Sequence, residues 1–167
     1  MKKVTPILVV LAIVGIIVGL FLSLSNVKSM KVIEKGNTSM KPLKMVVDRY
    51  QDSDCGMVIA ELDYASQVVV PDGRTWFFHD HGGFVHWLSD KPFKDKAKIW
   101  VMSRDTKRWI DGKKAYYSVN DETPMGYGFG AYEKNATGRI GYEDMSLKML
   151  RGETLNNPLI RKKIMGK

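Results

Sequence analysis

From Val4 to Leu24 the chain runs for 21 residues without a charge. No other feature constrains the fold as strongly, because ~20 apolar residues are what a helix needs to cross ~30 Å of hydrocarbon. Pro6 falls in the first turn of that helix, where its missing N–H costs nothing. The run is longer than the ~7–15-residue apolar core of a cleavable signal, and Ser23-Leu24-Ser25-Asn26-Val27 is a poor cleavage site. Residues 1–27 are therefore expected to form a cytoplasmic tip and an uncleaved transmembrane anchor. Lys2 and Lys3 precede the span, so the positive-inside rule keeps the N-terminus in the cytoplasm. The expected localisation is the inner membrane, single-pass, with the remaining chain in the periplasm.

Residues 28–43 are Lys-rich and polar, with Gly36, Asn37, Thr38 and Ser39, and read as a linker. Residues 44–155 are long enough to bury one compact core. Residues 156–167 carry Arg161-Lys162-Lys163 and read as a basic tail. Setting aside Lys2, Lys3 and Lys28 leaves 23 basic against 18 acidic residues, a net +5. That excess comes with no arginine-rich run and no nucleic-acid motif, so a nucleic-acid partner is not expected.

Within the domain, extended segments are predicted at 45–50, 58–62, 67–70 and 75–78, the last two joined by the turn signal Pro71-Asp72-Gly73. Asp80 is placed to cap a short helix running to Ser89. The second half repeats the theme, with strands at 99–102, 106–110 and 115–119, a loop at 121–126, a small/large alternation at 127–133, and a helical period from Tyr142 to Arg151. The expected fold is α+β: an N-terminal transmembrane helix, then a small domain of two related β-rich units with a helix each.

Cys55 is the only cysteine, so no internal disulfide can form. It lies in Cys55-Gly56-Met57, a thiol and a thioether two positions apart, behind the polar flank Asp52-Ser53-Asp54. Soft sulfur donors select Cu(I) over harder ions. Met125 is the other methionine held in a loop, between Pro124 and Gly126, whereas Met145 and Met149 have the helical spacing of core fillers. All three histidines, His79, His81 and His86, fall in one short stretch and are candidate nitrogen ligands. Their spacing is not that of a helical zinc pair. A Cys–His pair also permits nucleophilic catalysis, with Asp80 orienting a ring, but no substrate pocket or oxyanion signature accompanies it, and the chain is not expected to be an enzyme.

The run Thr123-Pro-Met-Gly-Tyr-Gly-Phe-Gly-Ala-Tyr-Glu133, with Cys55-Gly-Met57, Trp109-Ile-Asp111 and Ala115-Tyr-Tyr, resembles the nitrous oxide reductase accessory protein family NosL over about residues 45 to 140. That resemblance implies a Cu(I) chaperone delivering copper for the copper-sulfide centre of nitrous oxide reductase. Its implied partners are the apo-reductase and its membrane assembly complex. By the same likeness Cys55 and Met57 are the leading copper ligands and Met125 a further one. Two departures stand out. Family members are typically lipoproteins, and Phe84 stands where the family often has a methionine, so His81, His79 or His86 is expected to supply the missing ligand. A cysteine-dependent enzyme and a metal-free scaffold for a respiratory assembly are the alternatives.

Overall fold

A computed structural model describes residues 4–25 and 30–166. The chain is a small α+β domain built on a five-stranded antiparallel sheet in the order β1-β3-β2-β4-β5. The strands are β1 (Ile33–Glu34), β2 (Ser66–Val69), β3 (Thr75–Phe78), β4 (Lys98–Met102) and β5 (Trp109–Asp111). A separate two-stranded ribbon pairs β6 (Tyr116–Tyr117) with β7 (Ala131–Tyr132). The helices are α1 (Val4–Ser25), α2 (His81–Leu88), α3 (Tyr142–Leu150) and α4 (Pro158–Met165).

The two-unit expectation is corrected by the pairing of β2. It bonds β3 from its own half and β4 from the other, with Val68 opposite both Trp76 and Ile99. Every residue of β2 and of β3 is buried. A strand covered on both faces needs hydrogen-bonded neighbours along both edges. The second half supplies one of them, so the halves merge into one sheet.

The transmembrane expectation is corrected as well. An uninterrupted apolar run does form α1, and its side chains from Ile7 to Leu22 are exposed. Among the described residues, however, no helix is long and apolar enough to cross a membrane. The single-pass inner-membrane localisation, with its cytoplasmic tip and periplasmic domain, rested on that span and falls with it; residues 1–3 and 26–29 lie outside the described residues.

One face of the sheet packs Val68, Trp76, Phe78, Ile99 and Val101 against α2 and α3, where Phe84, Val85, Leu88 and Met145 are buried. The opposite face carries Phe77 and Ala65 and is covered by Met45, Tyr50 and Ile59 from the chain before β2. The expected strand at 45–50 is absent because Asp48 turns the backbone to φ 59°. Residues 28–43, expected as a linker, contribute β1, which pairs with β3, and Met40, whose carbonyl accepts from Trp100 Nε1 at 2.9 Å. The 156–167 tail holds α4, started by Pro158 and capped by Asn157.

Buried Gln67 fastens the covering segment. Its Oε1 accepts from Leu43 N at 2.8 Å and its Nε2 donates to Leu43 O at 2.8 Å. The amide thus substitutes for a strand that is not there. Gln67→Met is expected to leave both Leu43 groups unpaired and to cost about 2 kcal/mol in chemical denaturation. An unchanged midpoint would show that the segment is held without it.

Candidate metal centre

The loop that carries Cys55 is closed by its own backbone. Gln51 and Val58 form an antiparallel bridge, Asp52 N donates to Met57 O at 2.8 Å, and Gly56 N donates to Asp52 O at 3.0 Å. Gly56 takes φ 77°, a region that side chains with a Cβ rarely enter. Asp52 Oδ1 then accepts from Asp54 N at 2.7 Å and Cys55 N at 3.1 Å, so one carboxylate oxygen organises the turn and presents the thiol. Ser53 N donates to Phe77 O at 2.8 Å and clips the loop onto β3.

Where β3 ends, His79 enters the same carboxylate. Its backbone N donates to Asp52 Oδ2 at 2.7 Å, and its ring Nδ1 lies 2.6 Å from that oxygen. Both side chains are almost completely buried. Burial pushes the Asp52 carboxyl up, but the hydrogen bonds from the His79 ring and from the backbone of His79, Asp54 and Cys55 together hold it below its usual range. Burial likewise depresses His79, and the Asp52 hydrogen bond and charge outweigh it, so the ring is raised. The two directions agree on an ion pair between His79 and Asp52.

Cys55 completes the group. The residue is exposed, its Sγ lies 3.8 Å from His79 Nδ1, and ligand atoms of Asp52, Cys55 and His79 lie within 4.8 Å of one another. With metal bonds of about 2.3 Å to thiolate and 2.0 Å to imidazole, a 3.8 Å gap corresponds to an angle of about 120° at an ion between them. The ring offers two donor positions: Nδ1, which faces the sulfur and carries the Asp52 bond, and Nε2, buried without a partner among the described residues. Burial and the charges of Asp52 and Asp54 raise the free thiol above its ordinary value. A metal cation bound at that sulfur would displace the proton.

The other candidates sort by position. Met57 is exposed at the loop's edge, beside Cys55 in the chain. Met125 is half-buried, and its peptide is clamped at both ends: Asp80 Oδ2 accepts from Met125 N at 2.9 Å, and Asn156 Nδ2 donates to Met125 O at 2.7 Å. Asp80 also caps α2 through Gly82 N, so the Met125 loop is anchored on the residue that follows His79. Gly82 lets this happen, because a Cβ there would strike the Tyr127 ring and come within 2.9 Å of Met149 Sδ. His86 is exposed, with Nδ1 3.1 Å from Asp54 Oδ1.

His81 is placed elsewhere. It is fully buried, with Nδ1 2.7 Å from Ser66 Oγ and its ring among Tyr64, Phe84 and Tyr117. Burial drives its pKa down to about 3, and it is outside the Asp52–Cys55–His79 group. Sequence reasoning missed Asp52 as the organiser. The signal was present: an Asp three residues before a loop Cys is placed to cap the turn that presents it.

The geometry also bears on nucleophilic catalysis. A Cys–His–Asp relay uses one ring nitrogen for the nucleophile and the other for the acid. Here both Asp52 and Cys55 face Nδ1, and Nε2 faces neither partner. Compared with protein-family models and with curated proteins, the chain matches none.

Proposed function

We propose that the protein is a non-catalytic Cu(I) carrier, holding the ion at Cys55 and His79 and releasing it by ligand exchange. The observation that supports this reading is an exposed thiol 3.8 Å from a buried imidazole whose ring is fixed by Asp52. Cys55 and His79 supply the soft and borderline donors that cuprous ion prefers. On binding through Nδ1, the Cys55 thiol and the His79 ring would each release one proton to solvent, and the thiolate charge would be neutralised by the ion. Asp52 orients the ring and the turn in the metal-free chain. Because the sulfur is at the surface, an incoming donor can reach the ion before the outgoing one leaves. Likeness to the NosL family supports apo nitrous oxide reductase or its assembly complex as the recipient of this copper.

Anaerobic titration of the full chain with Cu(I) against a chromophoric chelator tests the reading, with copper X-ray absorption to identify the donors. One sulfur and one nitrogen neighbour are expected; a spectrum with sulfur neighbours alone would remove His79 from the site. Asp52→Asn is expected to weaken Cu(I) binding 10- to 100-fold, the usual effect of losing a partner that orients a ligand. Binding as tight as wild type would show that the carboxylate serves the loop and not the ion.

A further inference from the structure

The chain carries two Asn-x-Ser/Thr sequences, Asn37-Thr38-Ser39 and Asn135-Ala136-Thr137, the pattern in which an asparagine amide accepts an oligosaccharide. The fold treats them differently. Asn37 is buried, and its Nδ2 donates both protons, to Lys41 O at 2.8 Å and to Thr75 Oγ1 at 3.1 Å. Asn135 lies in the loop after β7, where every residue from Glu133 to Gly138 is exposed and none belongs to a helix or strand. Neither the Asn135 amide nor the Thr137 hydroxyl has a hydrogen-bond partner among the described residues. The loop is held at its ends and free in its middle. Asp105 accepts from Glu133 N at 3.0 Å and from Lys134 N at 3.1 Å, and Arg139 N donates to Ala136 O at 3.1 Å across a turn in which Gly138 takes φ 84°.

We propose that Asn135 is an N-glycosylation acceptor, the fold presenting this sequence to a glycosyl-transferring enzyme and locking the one at Asn37 away. In the transfer, Asn135 Nδ2 forms a bond to C1 of the first sugar of a lipid-linked oligosaccharide pyrophosphate. The bond from C1 to the pyrophosphate oxygen breaks, its electron pair leaves with the lipid pyrophosphate, and the amide gives up one proton. Nothing is oxidised or reduced. Glu133 stands two positions before the asparagine, where some bacterial oligosaccharyltransferases require an acid. Its carboxylate is 40% exposed and pairs with the exposed Arg108 at 2.7 Å, a surface ion pair that an enzyme can displace at little cost. Asn37 has Lys35 at that position. A sugar on Asn37 would also take one of its two donated protons, leaving Lys41 O or Thr75 Oγ1 without that donor inside the fold. The proposal does not rest on the copper reading, because the loop contributes no residue to the Asp52–Cys55–His79 group.

The experiment incubates the folded full chain with a purified bacterial oligosaccharyltransferase of the acid-requiring kind and its lipid-linked oligosaccharide, with a short acceptor peptide as positive control. Intact mass and peptide mass spectrometry read the result. Wild type is expected to gain the mass of one oligosaccharide, carried by the peptide that contains Asn135. Asn135→Gln and Thr137→Ala should gain none. Glu133→Gln should be modified about tenfold more slowly, the usual effect of losing a hydrogen bond to a charged group. These three positions are exposed, so the substitutions leave the core untouched. Lys35→Asp gives Asn37 the acid it lacks, and the folded variant should still carry its sugar at Asn135 alone. Unmodified wild type beside a modified control peptide overturns the proposal. A sugar that persists in Asn135→Gln also overturns it, and a sugar on Asn37 in folded Lys35→Asp overturns the selection by the fold.

Discussion

Cys55→Ser is expected to lower Cu(I) retention by more than about 100-fold, beyond the 10- to 100-fold typical of losing an outer partner of a ligand. Serine matches cysteine in shape, and the turn is held by the Cys55 backbone N–H on Asp52 Oδ1, which the substitution leaves in place. What changes is the donor: a hard hydroxyl that stays protonated replaces a polarisable thiolate. Equilibrium competition measures the loss, and circular dichroism of the metal-free variant checks that the fold is kept. Retention equal to wild type would place the ion elsewhere and end the case for this loop. The same variant separates the scaffold alternative, under which partner binding would survive the substitution with no copper-dependent defect.

The second large effect concerns acid stability and arises from His81. The ring is fully buried, its Nε2 has no partner among the described residues, and its pKa falls to about 3 from an ordinary 6.5. Above pH 6.5 the ring is neutral folded or unfolded and contributes no pH dependence. Below it the unfolded chain takes up a proton that the folded chain refuses, so stability falls as pH drops, until the folded ring titrates near 3. At 1.36 kcal/mol per unit, the loss from this one group is about 3 kcal/mol by pH 4. Against a typical total of about 5–15 kcal/mol, that is a large share. His81→Gln keeps a polar partner for Ser66 and does not titrate in this range. Its stability should therefore fall less steeply than wild type between pH 6.5 and 4 in denaturant titrations. Parallel slopes would show that the folded chain takes up the His81 proton as readily as the unfolded one.

The two residues divide what a histidine can be asked to do. In the chain, His79 and His81 are separated only by Asp80, and nothing in their spacing distinguishes them. In the fold, one meets a carboxylate and a thiol while the other is sealed among aromatic rings. The reason is the end of β3. Side chains alternate faces along a strand, and as the chain turns into α2, residue 79 is still presented toward the 52–55 loop while residue 81 enters the helix and the core.

Several elements were legible beforehand because they depend on local chemistry. The β-branched and aromatic stretches became β2 and β3, joined through Pro71-Asp72-Gly73, and Asp80 caps α2 as its position before the helix indicates. The period of Met145 and Met149 gave α3, with Met145 fully buried. Long-range pairing was not legible in this way. A faint resemblance between halves is compatible with two units or with one sheet, and only the pairing of β2 with β4 decides between them.

The sequence by itself determined that the one thiol stands free in a polar turn, since a single cysteine admits no internal disulfide and its acidic flank keeps it near the surface. It also determined that the histidines are confined to one short stretch of chain. Only the tertiary structure decided which imidazole meets that thiol, and that Asp52 links the two. Asp52 and His79 are 27 positions apart, and their meeting depends on the loop being clipped to β3 through Ser53 and Phe77. Residue types limit which ligands are chemically possible, but contacts across such a distance are set by how strands and covering segments pack.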